Sequence, residues 1–300
     1  MRVSRRDFLK YCSASGATLA LSSLDLFRLE EALANPNGPS VLWLQGAACT
    51  GCSVSFLNYI SPTAPTTAAD ILINIINLAY HPNLMAVAGE DAVDVLRQAA
   101  VPGKFILAIE GGIPSAFGGA TCFAYTENGQ DVTFLQLATS LAANAAQILS
   151  IGTCASWGGI AAAAPNPTSV KGVRAATGRN TINIAGCPPH PDWIVWAIAK
   201  LIGSGSVGTL DSSGRPRSLY GRTVHDQCPR EDRDEARRYG EDNHCLIELG
   251  CYGPVTRAGC PGTQWNGKNN WCIDANAQCI GCVEPTFPGA PLRMHRPFDD

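Results

Sequence analysis

The sequence predicts an α/β fold, a doubly wound parallel sheet of flavodoxin-like architecture, followed by a smaller irregular domain. Apolar runs with strand character alternate with helical patterns along the first two thirds of the chain, as in sheets whose parallel strands are joined by helices. The five candidate strands are residues 41–45, 71–78, 105–110, 147–151 and 181–185. The four helical stretches lie near residues 53–60, 90–100, 133–145 and 191–202. We therefore place one domain at 35–205 and a second at 206–300, where strand-like runs disappear.

The composition is that of a folded protein with many ordered loops. Of the 300 residues, 46% are hydrophobic and 16% are charged, which is enough to bury a full core in one or two domains. A net charge of −3 gives no indication of nucleic-acid binding. No apolar run of about 18 residues follows the N-terminal segment, so we expect no membrane anchor in this chain. The cysteine count of 13 is low for a disulfide scaffold, and an odd count does not suit complete pairing.

Residues 1–34 predict a twin-arginine signal peptide. Residues 4–10 read SRRDFLK, a weakly apolar run follows at 11–26, and ALA at 32–34 offers a cleavage site. An amphipathic N-terminal helix is the alternative interpretation. A twin-arginine signal implies export to the periplasm in the folded state, so that cysteines can bind metal before they meet an oxidising compartment. Cys12 would leave with the signal.

Four cysteines follow predicted strands and should meet at one edge of the sheet. Cys49 and Cys52 form a C-x-x-C pair after the first strand, Cys154 follows the fourth, and Cys187 follows the fifth. Ligands of such sheets collect at the carboxyl ends of the strands, and four thiolates there match a [4Fe–4S] cluster. A C-x-x-C pair alone also fits a redox dithiol or half a zinc site, although zinc ligands usually come as closely spaced pairs.

The second predicted domain is dense in Gly, Pro and Cys. It is too irregular for a conventional core, so we expect metal clusters to form its interior and to contribute to its folding. The potential ligands in chain order are His225, Cys228, Cys245, Cys251, Cys260, Cys272, Cys279 and Cys282. Together with the four cysteines of the sheet edge they make three sites of four ligands. Cys122 fits none of these sites, and we interpret it as a buried structural cysteine.

A set of motifs runs along the whole chain. They are LWLQGAACTGCS at 42–53, EGGIP at 110–114, IGTCASWGG at 151–159, PNPT at 165–168, NIAGCPPHPDWIV at 183–195, TVHDQCP at 223–229, CLIELGCYGP at 245–254, AGCPGTQWN at 258–266 and AQCIGCVEPTFP at 277–288. Together they resemble the small, iron–sulfur, electron-transferring subunit of periplasmic [NiFe] hydrogenases. The NWC at 270–272 is most similar to the nickel–iron–selenium branch, [NiFeSe].

The resemblance implies that the chain holds three iron–sulfur clusters. It assigns the proximal [4Fe–4S] cluster, nearest the catalytic subunit, to Cys49, Cys52, Cys154 and Cys187. It assigns the distal [4Fe–4S] cluster to His225, Cys228, Cys245 and Cys251. It assigns the medial cluster to Cys260, Cys279 and Cys282, with Cys272 available as a fourth ligand. A lone histidine is more often structural, but the H-x-x-C spacing of the distal motif mirrors C-x-x-C.

Cys272 decides the predicted type of the medial cluster. Many family members have proline at the matching position and hold a [3Fe–4S] cluster with three thiolates. A fourth thiolate is available here, which predicts a medial [4Fe–4S] cluster of lower potential. The alternative is a packing cysteine beside a three-iron cluster.

The resemblance also implies the function. The chain would form an obligate heterodimer with a large subunit that contains the Ni–Fe centre, and no residue of this chain would be catalytic. Electrons from H2 oxidation would leave through the clusters to a soluble multihaem cytochrome c. A relay subunit of a quinone-linked membrane hydrogenase complex is the alternative, whereas a disulfide- or zinc-stabilised binding protein disagrees with the ligand count.

The mixed-charge segment 229–242 is either a solvated surface or a docking site for the carrier.

Overall fold

The structure is a computed structural model that describes residues 40–62, 65–241 and 243–289. The predicted signal peptide, residues 1–34, lies outside the described residues. In chain order the strands are β1 (Ser40–Gln45), β2 (Leu78–Tyr80), β3 (Phe105–Glu110), β4 (Ile113–Pro114), β5 (Phe123–Glu127), β6 (Gln130–Thr133), β7 (Gln147–Ile151), β8 (Val170–Lys171) and β9 (Ile182–Ile184). The α-helices are α1 (Gly51–Leu57), α2 (Ala68–Asn74), α3 (Gly89–Ala99), α4 (Phe134–Asn144), α5 (Thr153–Trp157), α6 (Val173–Thr177), α7 (Pro191–Ser204), α8 (Arg217–Tyr220) and α9 (Cys260–Thr263).

Five strands form one parallel sheet in the order β2-β1-β3-β7-β9. Counted along the chain, this is the order 2-1-3-4-5 of flavodoxin-like folds, so the predicted fold class is confirmed. Strand β3 lies between β1 and β7, and all six of its residues are buried. A strand buried on both faces explains the uninterrupted apolar run FILAI.

The two faces of the sheet are covered by different helices. Alternate residues of β1 point to opposite sides: Val41 and Trp43 pack with α1, α2 and α7, whereas Leu42 and Leu44 pack with α3, α4 and α6. This sandwich of helix, sheet and helix is the doubly wound arrangement. It leaves the carboxyl edge of the sheet free to carry loops.

One predicted strand, residues 71–78, is wrong. The structure forms helix α2 there and a shorter strand, β2, beyond it. Thr67 begins the helix, because its hydroxyl accepts the Asp70 N–H while the Asp70 carboxylate accepts the Thr67 N–H. This reciprocal capping box outweighs the β-branched character of the segment. A short apolar run cannot by itself be assigned to strand or buried helix.

The prediction also missed the hairpin of β5 and β6. Its turn is Asn128-Gly129, in which both residues have positive φ (49° and 74°), as a two-residue hairpin turn requires. The segment 206–289 matches the expectation of an irregular region: it has only α8, α9, one short 3-10 turn at His225–Gln227 and isolated bridges in its described residues. No described helix is long and apolar enough to cross a membrane.

Candidate metal centres

The first candidate centre lies at the carboxyl edge of the sheet, as predicted. Cys49 and Cys52 lie between the end of β1 and the first turn of α1, and Thr50 between them has a positive φ of 66°. Cys154 is in α5, directly after β7. Cys187 follows β9 by three residues. The sheet therefore delivers all four cysteines to one place, because three of its strands end there.

Electrostatic interaction shows that these thiols are near neighbours. Burial raises the pKa of Cys52 well above its ordinary value, and Glu110, Cys154, Cys49 and Cys187 raise it further. Burial likewise raises the pKa of Cys187 to about 11, with added contributions from Cys154 and Cys49. The Cys52 and Cys187 thiols are therefore neutral near pH 7 without a metal, so metal binding must release protons.

Glycines make room around this group of sulfurs. A Cβ on Gly152 would lie 2.5 Å from Cys52 Sγ, and one on Gly159 would lie 3.0 Å from Cys154 Sγ. The Gly51 N–H donates to Cys49 Sγ at 3.4 Å. Four sulfurs, a backbone without side chains around them and an N–H aimed at a sulfur are the features that a cubane iron–sulfur cluster needs. The residues present therefore fit the cluster predicted from the sequence.

A buried carboxylate fixes the C-x-x-C loop to the sheet. Glu110, at the end of β3, is 1% exposed. It accepts the Cys52 N–H at 3.0 Å and the Ser53 N–H at 3.1 Å, and also the Ser53 hydroxyl. The indole N–H of Trp43 donates to it at 3.2 Å. These bonds set the direction in which Cys52 leaves the loop.

His81 extends this hydrogen-bond network. Its Nδ1 accepts the Asn83 N–H at 3.1 Å, which places the proton of the neutral ring on Nε2. Nε2 lies 3.1 Å from Ser53 Oγ, so His81 donates to Ser53 and Ser53 donates to Glu110. Burial lowers the pKa of His81 to about 4. The ring is therefore neutral at physiological pH.

The second candidate centre contains the four cysteines predicted for the medial site. Burial raises the pKa of Cys260 well above its ordinary value, and Cys282, Cys279 and Cys272 raise it further. Burial also raises the pKa of Cys279 to about 11 and that of Cys282 to about 12. Cys272 is more exposed than the other three, yet it contributes to the raised pKa of each of them. The structure thus brings Cys272 to this group.

The third candidate centre lies in the loops 225–253. Burial raises the pKa of Cys228, and Cys251 and Cys245 contribute to the same shift. The His225 N–H donates to the Gly253 carbonyl at 3.1 Å. A Cβ on Gly253 would lie 3.4 Å from Cys251 Sγ and 3.6 Å from His225 Cβ. His225 is therefore placed beside Cys251, in agreement with the predicted grouping.

Two hydrogen bonds connect the three groups in series. The Thr153 hydroxyl, next to Cys154, donates to the Cys282 carbonyl and joins the first group to the second. The Cys279 N–H donates to Cys251 Sγ at 3.4 Å, joining the second group to the third. The Thr153 hydroxyl also accepts the N–H of Gly186, the residue before Cys187, at 3.0 Å. The thiol groups therefore follow one another in the order that the resemblance gives to proximal, medial and distal clusters.

All of the described cysteines are free thiols. Within the described residues, no group of three or more His, Cys, Asp or Glu side chains is spaced to hold a single metal ion. Cys122 packs against the core on the other face of the sheet, and burial raises its pKa. It lies apart from the three groups.

Several polar residues around these sites were not predicted as functional from the sequence: Ser53, His81, Glu110, Thr153, Arg215 and Glu284. Glu110 gave a signal, since a carboxylate at the end of an otherwise apolar central strand must find partners where that strand ends. The other polar residues bond to partners that are far away in the sequence, so no local spacing predicts them.

Comparison with known proteins agrees with this geometry. Residues 49–201 match the family described as NADH ubiquinone oxidoreductase, 20 Kd subunit. Residues 220–293 match the C-terminal family of the NiFe/NiFeSe hydrogenase small subunit. The chain is 38% identical to the periplasmic [NiFe] hydrogenase small subunit of Solidesulfovibrio fructosivorans, over 95% of this chain and 90% of the relative. It is 37% identical to the periplasmic [NiFeSe] hydrogenase small subunit of Desulfomicrobium baculatum, over 96% and 97%.

A solved structure extends the similarity to the fold. The recombinant [NiFeSe] hydrogenase of Desulfovibrio vulgaris Hildenborough superposes with a TM-score of 0.81 at 38% identity, covering 88% of this chain and 99% of that chain. Fold and thiol groups thus define an oxidoreductase subunit. The chain belongs to the small subunits of [NiFe] and [NiFeSe] hydrogenases, which are parts of heterodimeric enzymes.

Proposed function

We propose that this chain is the electron-transferring small subunit of a periplasmic uptake hydrogenase. The enzyme oxidises H2 to two protons and two electrons at the Ni–Fe centre of its large subunit. The observation that carries the proposal is the series of three thiol groups joined by hydrogen bonds from Thr153 to Cys282 and from Cys279 to Cys251. A series of this kind suits transfer of single electrons over the length of the chain. The proximal, medial and distal ligands are those that the resemblance assigned.

The chain's own residues bind and tune the clusters. Thiolates of the three groups and the His225 imidazole would hold iron, and N–H groups aimed at sulfur tune each potential. In the third group the N–H groups of Arg230 and Gly253 donate to Cys228 and Cys251, each at 3.4 Å. A neutral imidazole in place of one thiolate raises the potential of the last cluster, which favours electron exit there.

The large subunit is proposed to cover the carboxyl edge of the sheet. Several large apolar side chains are exposed in or shortly after α1, β4 and α5, although they are costly to leave in water. They are Val54, Leu57, Ile60, Phe117 and Ile160. Phe117 is 83% exposed. An obligate heterodimer interface is large and apolar, which suits this surface.

We further propose export by the twin-arginine route and delivery of electrons to a cytochrome c. Three relatives are named as periplasmic, which supports the predicted signal peptide. Arg233, Arg237 and Arg238 are exposed in the segment between Cys228 and Cys245, and they provide a charged docking surface for a carrier.

A second candidate acceptor is a membrane quinone. The quinone-reactive Ni/Fe-hydrogenase small chain of Wolinella succinogenes is 35% identical over 95% of this chain and 81% of the relative. Rates of H2-dependent reduction of a multihaem cytochrome c and of a soluble quinone, measured side by side, separate the two acceptors.

Iron and sulfide analysis of the purified heterodimer tests the relay. Three cubane clusters require about twelve irons in this subunit, and a three-iron medial cluster requires about eleven. Cys272→Ala should remove about one iron and produce a three-iron paramagnetic resonance signal, while Cys122→Ala serves as the matched control and should change neither. Absence of iron–sulfur signals in both oxidised and reduced wild-type enzyme would contradict the proposal.

A further inference from the structure

Arg215 is a buried cation outside the thiol groups. It is 3% exposed, and burying an arginine is costly unless its charge is paired. Its Nε–H donates to Asp211 Oδ2 at 2.9 Å and its Nη1–H donates to Glu284 Oε1 at 2.9 Å. Nη1 also donates to the Val283 carbonyl at 2.9 Å. These bonds pair the charge of the guanidinium with two carboxylates and hold it in one orientation.

The turn that carries Arg215 is fixed to the sheet. Asp211 Oδ1 accepts the N–H groups of both Ser213 and Arg215 at 2.9 Å, which closes the turn. Asn183 in β9 donates its N–H to the Gly214 carbonyl at 2.8 Å and its side-chain amide to the Ser213 carbonyl at 2.8 Å. The position of the guanidinium is therefore set by the same strand that leads to Cys187.

The contacts of Arg215 reach the loops of two thiol groups. Val283 and Glu284 directly follow Cys282, a predicted medial ligand. The guanidinium carbon lies 5.9 Å from the ring centre of Trp157, three residues after Cys154, and 5.3 Å from that of Tyr220. Both rings are within the range of cation–π attraction.

Tyr220 completes the connection between the first two groups. Its hydroxyl donates to the Ala185 carbonyl at 2.8 Å, two residues before Cys187. Burial raises the pKa of its phenol group well above the ordinary value, and Cys260 and Cys282 raise it further. Arg215 and Tyr220 together therefore lie where the proximal and medial groups meet.

A fixed charge at this place acts on electron transfer. Arginine does not lose its proton in proteins, and Coulomb interaction is strong where water is excluded. An iron–sulfur cluster becomes more negative on reduction, so a nearby cation stabilises the reduced form. Loss of the guanidinium would therefore lower the reduction potential. It would also leave the carboxylates of Asp211 and Glu284 uncompensated, and their negative charges would lower the potential further.

We propose that Arg215 is a positioning residue of the relay, which holds the Cys282 loop against the loops of the proximal group and raises the reduction potential of the medial cluster. The inference rests on the function proposed above. It assigns a task to a residue that ligates no metal. A purely structural arginine would affect stability without changing a potential.

The test is a redox titration of the purified heterodimer, followed by paramagnetic resonance, together with iron analysis. Arg215→Gln should shift the reduction equilibrium of the medial cluster at least tenfold toward the oxidised form. For a one-electron couple this lowers the medial potential by about 59 mV. The distal potential should stay unchanged, because the third thiol group lies beyond the medial group. Arg217→Gln is the matched control: Arg217 is exposed two residues away, so solvent screens its charge and both potentials should match the wild type.

Two further variants keep the test decisive if Arg215→Gln does not assemble. Arg215→Lys retains the charge without the fork of donors, so it should keep the medial potential near the wild-type value while lowering the thermal midpoint. Glu284→Gln removes a carboxylate beside Cys282 and should raise the medial potential. A medial potential unchanged in Arg215→Gln, or in Glu284→Gln, with full iron content overturns the inference. Wild-type enzyme without iron–sulfur signals would instead overturn the relay itself.

Discussion

The regions 40–205 and 206–289 bring thiols together by different physical means. In the first region a buried parallel sheet fixes the ends of β1, β7 and β9, and the loops that leave those ends carry the cysteines. In the second region the described residues form only two four-residue helices, one short 3-10 turn and isolated bridges. The first thiol group is thus preorganised by secondary structure, whereas the other two depend on loops.

Buried charges play a different part in each region. Glu110 belongs to a central strand and anchors the C-x-x-C loop from inside the sheet. Arg215 belongs to a turn and anchors the Cys282 loop from outside it. Where regular structure is scarce, a buried ion pair with several hydrogen bonds fixes the ligand loop instead of a strand. Metal ligation should supply much of the remaining stability there.

Removal of the clusters should give the largest difference between the regions. Treatment of the reduced heterodimer with an iron chelator should abolish amide-exchange protection over residues 225–282, because their interior is then without metal. Protection of β1, β3 and β7 should persist, because their backbone hydrogen bonds run from strand to strand within the sheet. Hydrogen exchange with mass spectrometry of treated and untreated enzyme measures both.

The same experiment has an internal control and a clear contrary result. Helix α7 packs on the sheet through Trp193, Ile194 and Ile198, all buried, and should remain protected in both samples. Equal loss of protection in the sheet and in 225–282 would show that the two regions unfold as one unit. The first thiol group would then depend on metal ligation as much as the other two.

The sequence predicted one region from physical rules and the other from resemblance. Cysteines that follow the first, fourth and fifth apolar runs had to meet, because parallel strands end on one edge. In 206–289, spacing alone left the eight ligands unsorted, and only the motifs assigned Cys251 to one group and Cys272 to another. In the structure Cys251 contributes to the pKa shift of Cys228, and Cys272 contributes to that of Cys260, across distances in sequence that no local pattern encodes. The assignment of each ligand to a cluster stays a prediction.

Contacts between distant residues explain what the sequence could not predict. Glu110 meets Ser53 across 57 positions, and Arg215 meets Glu284 across 69. The misassigned run 71–78 has a more local cause, since its apolar residues suit a helix and a strand equally until the Thr67 capping box is considered. The missed hairpin, by contrast, carried a readable signal in Asn128-Gly129.

Glu110→Gln should produce the next largest effect, confined to the sheet region. An amide cannot accept all of the donors that surround this carboxylate, so we expect a loss of about 2–4 kcal/mol in unfolding free energy. Amide exchange at Cys52 and Ser53 should accelerate, while exchange in 225–253 stays unchanged. Hydrogen exchange and denaturant unfolding of the heterodimer measure the two quantities.

A surface carboxylate provides the control for that variant. Glu127 pairs with Arg97 on an exposed side of the molecule, and such a pair contributes about 0–1 kcal/mol. Glu127→Gln should therefore resemble the wild type in both measurements. If Glu110→Gln behaves like Glu127→Gln, the C-x-x-C loop is held by something other than the carboxylate.

The smallest expected effect is a pH dependence located at His81. Its pKa is about 4 in the folded chain against an ordinary value of 6.5, because burial disfavours the cation. The unfolded chain therefore binds up to one proton more than the folded chain between these values, so stability is full above pH 6.5 and falls as the pH approaches 4. His81→Gln removes this titrating group, so the stability of the variant should fall less steeply between pH 6.5 and pH 4.

The comparison of the two proteins controls for acid loss of iron. Both contain the same thiol groups, so the loss of iron should affect them alike, and the difference between their unfolding midpoints at each pH isolates the histidine. Parallel curves for the two proteins would mean that the ring is not buried as a neutral donor to Ser53.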